Sequence, residues 1–172
     1  MSEVTVRALG TEEWQAYREV RLAALKESPE AFASSYDAEV GYDEDFWRKR
    51  LARSARLLAC DGDEPVGIVS VGQAEEEGVA ELFGMWVSPA RRGSGVAWRL
   101  THAAALHARA EGQRALKLWV STENGRAVAF FSSYGFRPTD QRRPMTTDEA
   151  VQELAMVLPL GDDPGWVPTT ML

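Results

Sequence analysis

The chain has 172 residues, a formal net charge of −7, 45% hydrophobic and 26% charged residues, and a single cysteine. That length and balance suit one globular domain over residues 1–160, and a lone Cys60 excludes an internal disulfide. The acidic charge argues against a nucleic-acid partner and suits a cationic one. With no apolar leader or membrane-length run, a cytoplasmic protein free of membranes is expected, as monomer or homodimer.

Residues 4–9 alternate as an opening strand. Thr11 stands as the N-cap of a helix from Glu12, with Trp14, Tyr17, Val20, Ala24 and Leu25 at helical spacing until Ser28 and Pro29 stop it. Residues 30–53 predict a second helical region, broken near Gly41 and resumed at Asp43, acidic at its start and basic later as the helix dipole prefers. Residues 56–60, 66–72 and 79–87 predict an antiparallel meander turning at 61–65 and 75–78. A helix over 95–111 sets Leu100, Ala103, Ala104 and Ala108 on one face and ends at Gly112. A strand over 116–120, a helix over 126–134 and strands at Phe136 and over 153–158 follow, with 161–172 as a loosely ordered tail. Strands first and a strand–helix–strand crossover later give an α+β domain with a mixed sheet.

The most informative stretch joins the third strand to the long helix. Met85, Trp86 and Val87 run into Pro89, and Arg92, Gly93, Ser94, Gly95, Val96 and Ala97 then form a glycine-rich turn opening a helix. Free N–H groups at a helix start, backed by the dipole and an arginine, read as a pyrophosphate cradle. The turn lacks the Lys-Ser/Thr ending of a P-loop, and Trp98 stands where a dinucleotide fingerprint needs its third glycine.

Val87, Pro89, Arg92, Gly93, Gly95 and Ala97 fill a Val-x-Pro-x-x-Arg-Gly-x-Gly-x-Ala pattern that resembles the acetyl-CoA-binding motif of the GNAT N-acetyltransferase superfamily. Asn124, Ala127, Gly135 and Phe136 resemble its second motif, but Phe131 stands where the family often carries a tyrosine, the proposed proton donor to the departing thiolate. The resemblance implies a GNAT-like, mostly antiparallel sheet flanked by helices, with a splayed central strand pair whose gap takes pantetheine. It implies acetyl-CoA as co-substrate, bound by residues 85–87 and 92–97 with Asn124 and Phe131. The implied reaction moves acetyl to the primary amine of a small molecule by direct attack in a ternary complex. The alternatives are a protein N-terminus or lysine as acceptor, or a non-catalytic CoA-binding sensor. Trp119 stands where the family's ribosomal-protein acetyltransferases carry a glutamate base, which weighs against that subgroup.

Strict alternation sets Glu81 on one strand face with Phe83, Met85 and Val87, an unusual place for a carboxylate, and several family members keep their base at this position. Glu81 is therefore the expected general base. Glu30, Tyr36 and Tyr42, with Glu39 and Trp47, form an acidic and aromatic group suited to an ammonium acceptor. Tyr134 and Cys60 read as packing residues, and His102 and His107, five apart, do not form a metal pair, so no metal is expected.

Overall fold

The computed structural model describes residues 3–32, 34–145 and 148–161; the expected tail beyond Gly161 lies outside the described residues. Its elements are β1 (Val4–Ala8), α1 (Trp14–Glu27), α2 (Tyr36–Glu39), α3 (Glu44–Arg53), β2 (Ala55–Asp61), β3 (Glu64–Gln73), β4 (Val79–Val87), α4 (Val96–Ala110), β5 (Ala115–Ser121), α5 (Gly125–Tyr134), β6 (Arg137–Pro144) and β7 (Gln152–Pro159). The hydrogen-bonded strand order is β1-β2-β3-β4-β5-β7-β6. The architecture is thus the expected α+β one, a mixed and mostly antiparallel sheet with helices. No helix among the described residues is long and apolar enough to cross a membrane.

The described residues form two compact units, one within Met1–Gly72 and Phe83–Ala104 and the other within Gln73–Leu82 and Ala105–Leu172. In the first, β1 pairs antiparallel with β2, and β2 with β3. Leu58, Ile68 and Trp86 from the strands pack with Tyr17, Val20 and Leu25 of α1 and Trp47 of α3. Tyr17 meets Trp47 edge-on at 5.7 Å between ring centroids. Burying an indole of this size is worth about 4–6 kcal/mol as an upper bound, so Trp47 fastens α3 to α1.

One local expectation changes. Thr11 does not cap α1: residues Thr11–Glu13 form a 3-10 turn, and Glu13 reaches back to accept the Gly10 N–H at 3.2 Å, so the helix proper starts at Trp14. The second helical region is broken near Gly41 as expected, giving α2 capped by Ser35 and α3 by Asp43, each accepting from an N–H three residues on.

In the second unit, the first residues of β4 pair in parallel with β5 over Val79↔Ala115, Ala80↔Leu116 and Glu81↔Lys117, and the pairing ends there. β7 lies antiparallel to both β5 and β6. β6 runs much further than the Phe136 signal suggested and does not include that residue. It is an exposed edge strand with prolines at 138 and 144, so it has no apolar alternation to detect.

Candidate active site

The glycine turn is built mainly from backbone. The Ser88 N–H donates to the Val66 carbonyl at 2.9 Å, holding the end of β4 to β3, and Pro89–Arg91 then makes one 3-10 turn. Gly93 and Gly95 sit at φ +80° and +91°, where L side chains are strained, and nothing lies within 4 Å of a Cβ added at either. Helix α4 starts immediately after. Its first return bond runs from the Arg99 N–H to the Gly95 carbonyl at 3.1 Å, so the amides of Val96 and Ala97 precede any intrahelical acceptor. An open turn with two glycines, ending in such amides, is chemically suited to a pyrophosphate.

Arg92 is not held as a free charge over this turn. Its Nε–H donates to the Val87 carbonyl at 3.0 Å and its Nη2 pairs with Glu27 at 2.8 Å. Glu27 also accepts from Ser28 and from the Trp86 indole N–H at 2.8 Å; the Ser28 hydroxyl, then Trp86 and Arg92, hold its carboxyl down at about 2. Ser94 spends its hydroxyl on the Arg91 carbonyl.

Alternation along β4 breaks at Gly84, which has φ +64°. Phe83 lines a cavity with Tyr17 and Ser70, while Trp86 packs in the cluster that contains Tyr17. Two side chains three residues apart therefore face α1, as an inserted residue in the left-handed region allows. The expectation that Glu81, Phe83, Met85 and Val87 share one face is corrected: the kink reverses the order, so Met85 and Val87 do not continue the Phe83 face.

In the second unit, Glu81 is half-buried opposite Lys117. Burial pushes its carboxyl above the ordinary value, opposed by the charges of Arg143 and Lys117 and by a hydrogen bond with Trp119. Lys117 lies 4.8 Å and Arg143 4.1 Å from the Trp119 ring centroid, and each has its own carboxylate, Glu76 at 2.7 Å and Glu153 at 3.0 Å. This carboxylate, an indole and two already paired cations form a group in which burial makes the carboxyl a stronger proton acceptor than an exposed one. Glu81 is legible in the sequence, whereas Trp119 and Arg143 become its neighbours only through the fold.

Asn124 caps α5, its Oδ1 accepting from the Ala127 N–H at 3.1 Å. Phe131 is half-buried, edge-on to Phe130 and Phe136 at 5.1 and 5.5 Å. Tyr134 is fully buried and its hydroxyl is pushed up by burial, which fits packing. Ser133 donates to the Phe130 carbonyl at 2.7 Å. Burial likewise raises the Cys60 thiol and lowers His102, so neither is an activated group.

The acidic and aromatic acceptor group does not form as expected. Glu39 is 0% exposed and spent on two arginines, Arg21 through both carboxylate oxygens at 3.0 Å and Arg50 at 2.8 Å. Burial alone would raise its carboxyl, but the hydrogen bonds from Arg21 and Arg50 bring it down to about 2. Trp47 is core. Tyr42 stacks on Phe46 at 4.0 Å, Tyr36 lies near Lys26 at 5.8 Å, and Glu30 stays exposed. Beside them is a cavity of about 120 Å³ that no sequence signal announced, lined by Arg21, Arg50, Arg53 and Arg56 with Ser70 and Phe83.

The family model described as Acetyltransferase (GNAT) family matches residues 14–136. The chain belongs to that family of acetyltransferases. Over 78 residues it is 35% identical to a Methanocaldococcus jannaschii protein described as an uncharacterized N-acetyltransferase, a stretch covering 42% of this chain and 34% of that one. Among solved structures, a Salmonella typhimurium chain with its cofactor acetyl-CoA superposes at TM-score 0.71 and 20% identity, covering 94% of this chain and 96% of that one. A Thermoplasma acidophilum N-acetyltransferase in complex with coenzyme A gives 0.68 and 17%, covering 91% and 99%. At these identities the two structures establish likeness of fold.

Proposed function

We propose that this protein moves the acetyl group of acetyl-CoA to the primary amine of a small molecule by direct attack in a ternary complex, with residues 1–160 acting as one catalytic domain and Glu81 as general base. The observation that carries this reading is the Glu81 group, a half-buried carboxylate raised by burial and steadied by Trp119. A lysine-like amine with pKa ~10.4 is only about 0.1% unprotonated near pH 7.4, so a base that removes its proton is needed. The open turn at Gly93 and Gly95 and the amides of Val96 and Ala97 suit the pyrophosphate, and acetyl-CoA supplies the activated thioester. Backbone N–H groups over residues 85–87 receive the oxyanion. Phe131 cannot donate a proton, but a thiol with a reference pKa of ~8.5 departs tolerably as thiolate.

The test is thiol release from acetyl-CoA over a panel of small amines and peptides, with a pH profile. The rate should rise with pH through the raised Glu81 pKa, because the base works ionised. Glu81→Gln should lower kcat by roughly 10²–10⁴ and leave acetyl-CoA affinity unchanged. The same substitution should raise Tm at neutral pH. A carboxyl whose folded pKa is raised favours the fold below its unfolded value and loses that contribution as pH climbs through the folded one. A near-normal rate for Glu81→Gln on the best acceptor removes Glu81 as base. Phe131→Tyr should change kcat by less than about tenfold; if wild type binds acetyl-CoA yet acetylates nothing while this variant turns over, the protein is a CoA sensor instead.

A further inference from the structure

The cavity beside α1 and α3 is charged in the opposite sense to the chain as a whole. Arg21, Arg50, Arg53 and Arg56 line it, and no carboxylate does. Glu39, which is not part of the lining, pairs with Arg21 and Arg50. That leaves Arg53 and Arg56 without an acidic partner among the described residues. Arg53 is exposed at the end of α3. Arg56 is only 4% exposed. Its Nη1 donates to the Ser70 hydroxyl at 2.7 Å and its Nη2 to the Arg50 carbonyl at 3.3 Å, while its buried Nε–H has no partner. The Tyr17 and Phe83 rings lie 5.1 and 5.3 Å from its guanidinium carbon. A guanidinium stays ionised in proteins, and burying it without a counter-ion is costly unless something negative arrives.

Size and position narrow the missing partner. A volume of about 120 Å³ has room for a carboxylate or a tetrahedral phosphorus oxyacid. Planar guanidinium forks match both. Gly84 also lines the cavity, and it precedes Met85, the first residue of the segment assigned above to the oxyanion.

Resting on the acetyl-transfer reading above, we infer that the acceptor is an amine that also carries an oxyacid group, carboxylate or phosphonate, seated among Arg21, Arg50, Arg53 and Arg56. The anion anchors the molecule and leaves its amine to be deprotonated and acetylated. Attack of the amine nitrogen on the thioester carbon forms the amide C–N bond, the C–S bond breaks, the thiolate leaves, and the amine proton passes to the base.

The experiment compares matched amines: ω-amino carboxylates of increasing length, their phosphonate counterparts, and the corresponding uncharged amides. An oxyacid-bearing amine should exceed its uncharged analogue about 10–100-fold in kcat/KM, mainly through KM, as charge-assisted hydrogen bonds warrant. The carboxylate and phosphonate arms decide which oxyacid fits. Arg53→Gln, at an exposed position where folding is safe, and Arg56→Lys should each shrink the preference, read as the ratio of kcat/KM between a charged amine and its uncharged amide. Equal rates for charged and uncharged amines, or a preference intact in both variants, overturn the inference. If no amine is acetylated, the transfer reading fails, and the cavity is read by binding alone. With CoA saturating, inorganic phosphate or acetate should raise the Tm of wild type and not of Arg53→Gln; no rise in wild type overturns the cavity as an anion site.

Discussion

The glycine turn and the arginine cavity are both suited to anions, and they are made in opposite ways. The turn is one contiguous segment whose donors are backbone amides, opened by two residues at positive φ. The cavity takes Arg21 from α1, Arg50 and Arg53 from α3, Arg56 from β2 and Ser70 from β3, and its donors are side chains. A backbone site needs particular residues at fixed spacing and so can be read along the chain. A side-chain site needs only that distant residues meet, and each of its members has an ordinary local explanation.

Breaking each region separately sharpens that contrast. The largest effect belongs to the turn: Gly95→Asp puts a side chain at φ +91° and a negative charge beside the helix amides. Acetyl-CoA affinity should fall by about 10²-fold or more, measured by calorimetry, because repulsion replaces the favourable end of the helix dipole. Next comes the cavity's buried support. Glu39→Gln leaves Arg21 and Arg50 uncompensated and should cost about 3–5 kcal/mol in denaturant unfolding, with phosphate restoring part of the loss. Wild-type stability at low pH gives the sign check. Glu39 is held down at about 2, so its contribution is complete above the ordinary carboxylate range and is lost as pH falls toward 2. The smallest effect is at Glu27→Gln, which frees Arg92 and removes a negative charge near the turn. Acetyl-CoA should bind more tightly, by less than tenfold; weaker binding would mean that Glu27 positions the turn.

Much of the fold was legible because its core elements repeat apolar residues at the spacing of helix or strand, as in α1, α4, β3 and β5. The parts that escaped lack that signal. β6 is polar along its length, and with it went Arg143, one of the charges acting on Glu81. The turn at Thr11 went unread because a glutamate, not the threonine, reaches back to the Gly10 amide. Gly84 looked like an ordinary strand position, since a positive φ leaves no periodic mark. Arg50 and Arg53 read as the basic end of a helix satisfying its dipole, and Arg56 as the start of a strand, so nothing local suggested that they meet. The chain's charge of −7 pointed the acceptor toward a cation, whereas the cavity is governed by the few charges that line it. Glu39 and Trp47 look like part of an acceptor surface in the sequence, which shows residue type but not burial.

A residue inserted into a strand also decides how the chain can change in length. With Gly84 present, Phe83 and Trp86 face α1 from three positions apart; deleting it leaves them two apart, the spacing at which a regular strand keeps side chains on one face. The Trp86 indole would stay with Glu27, Met85 would stay on the opposite side, and only the local kink would be lost. A one-residue gap at this position is therefore a change in the bend of β4 and not a swap of faces.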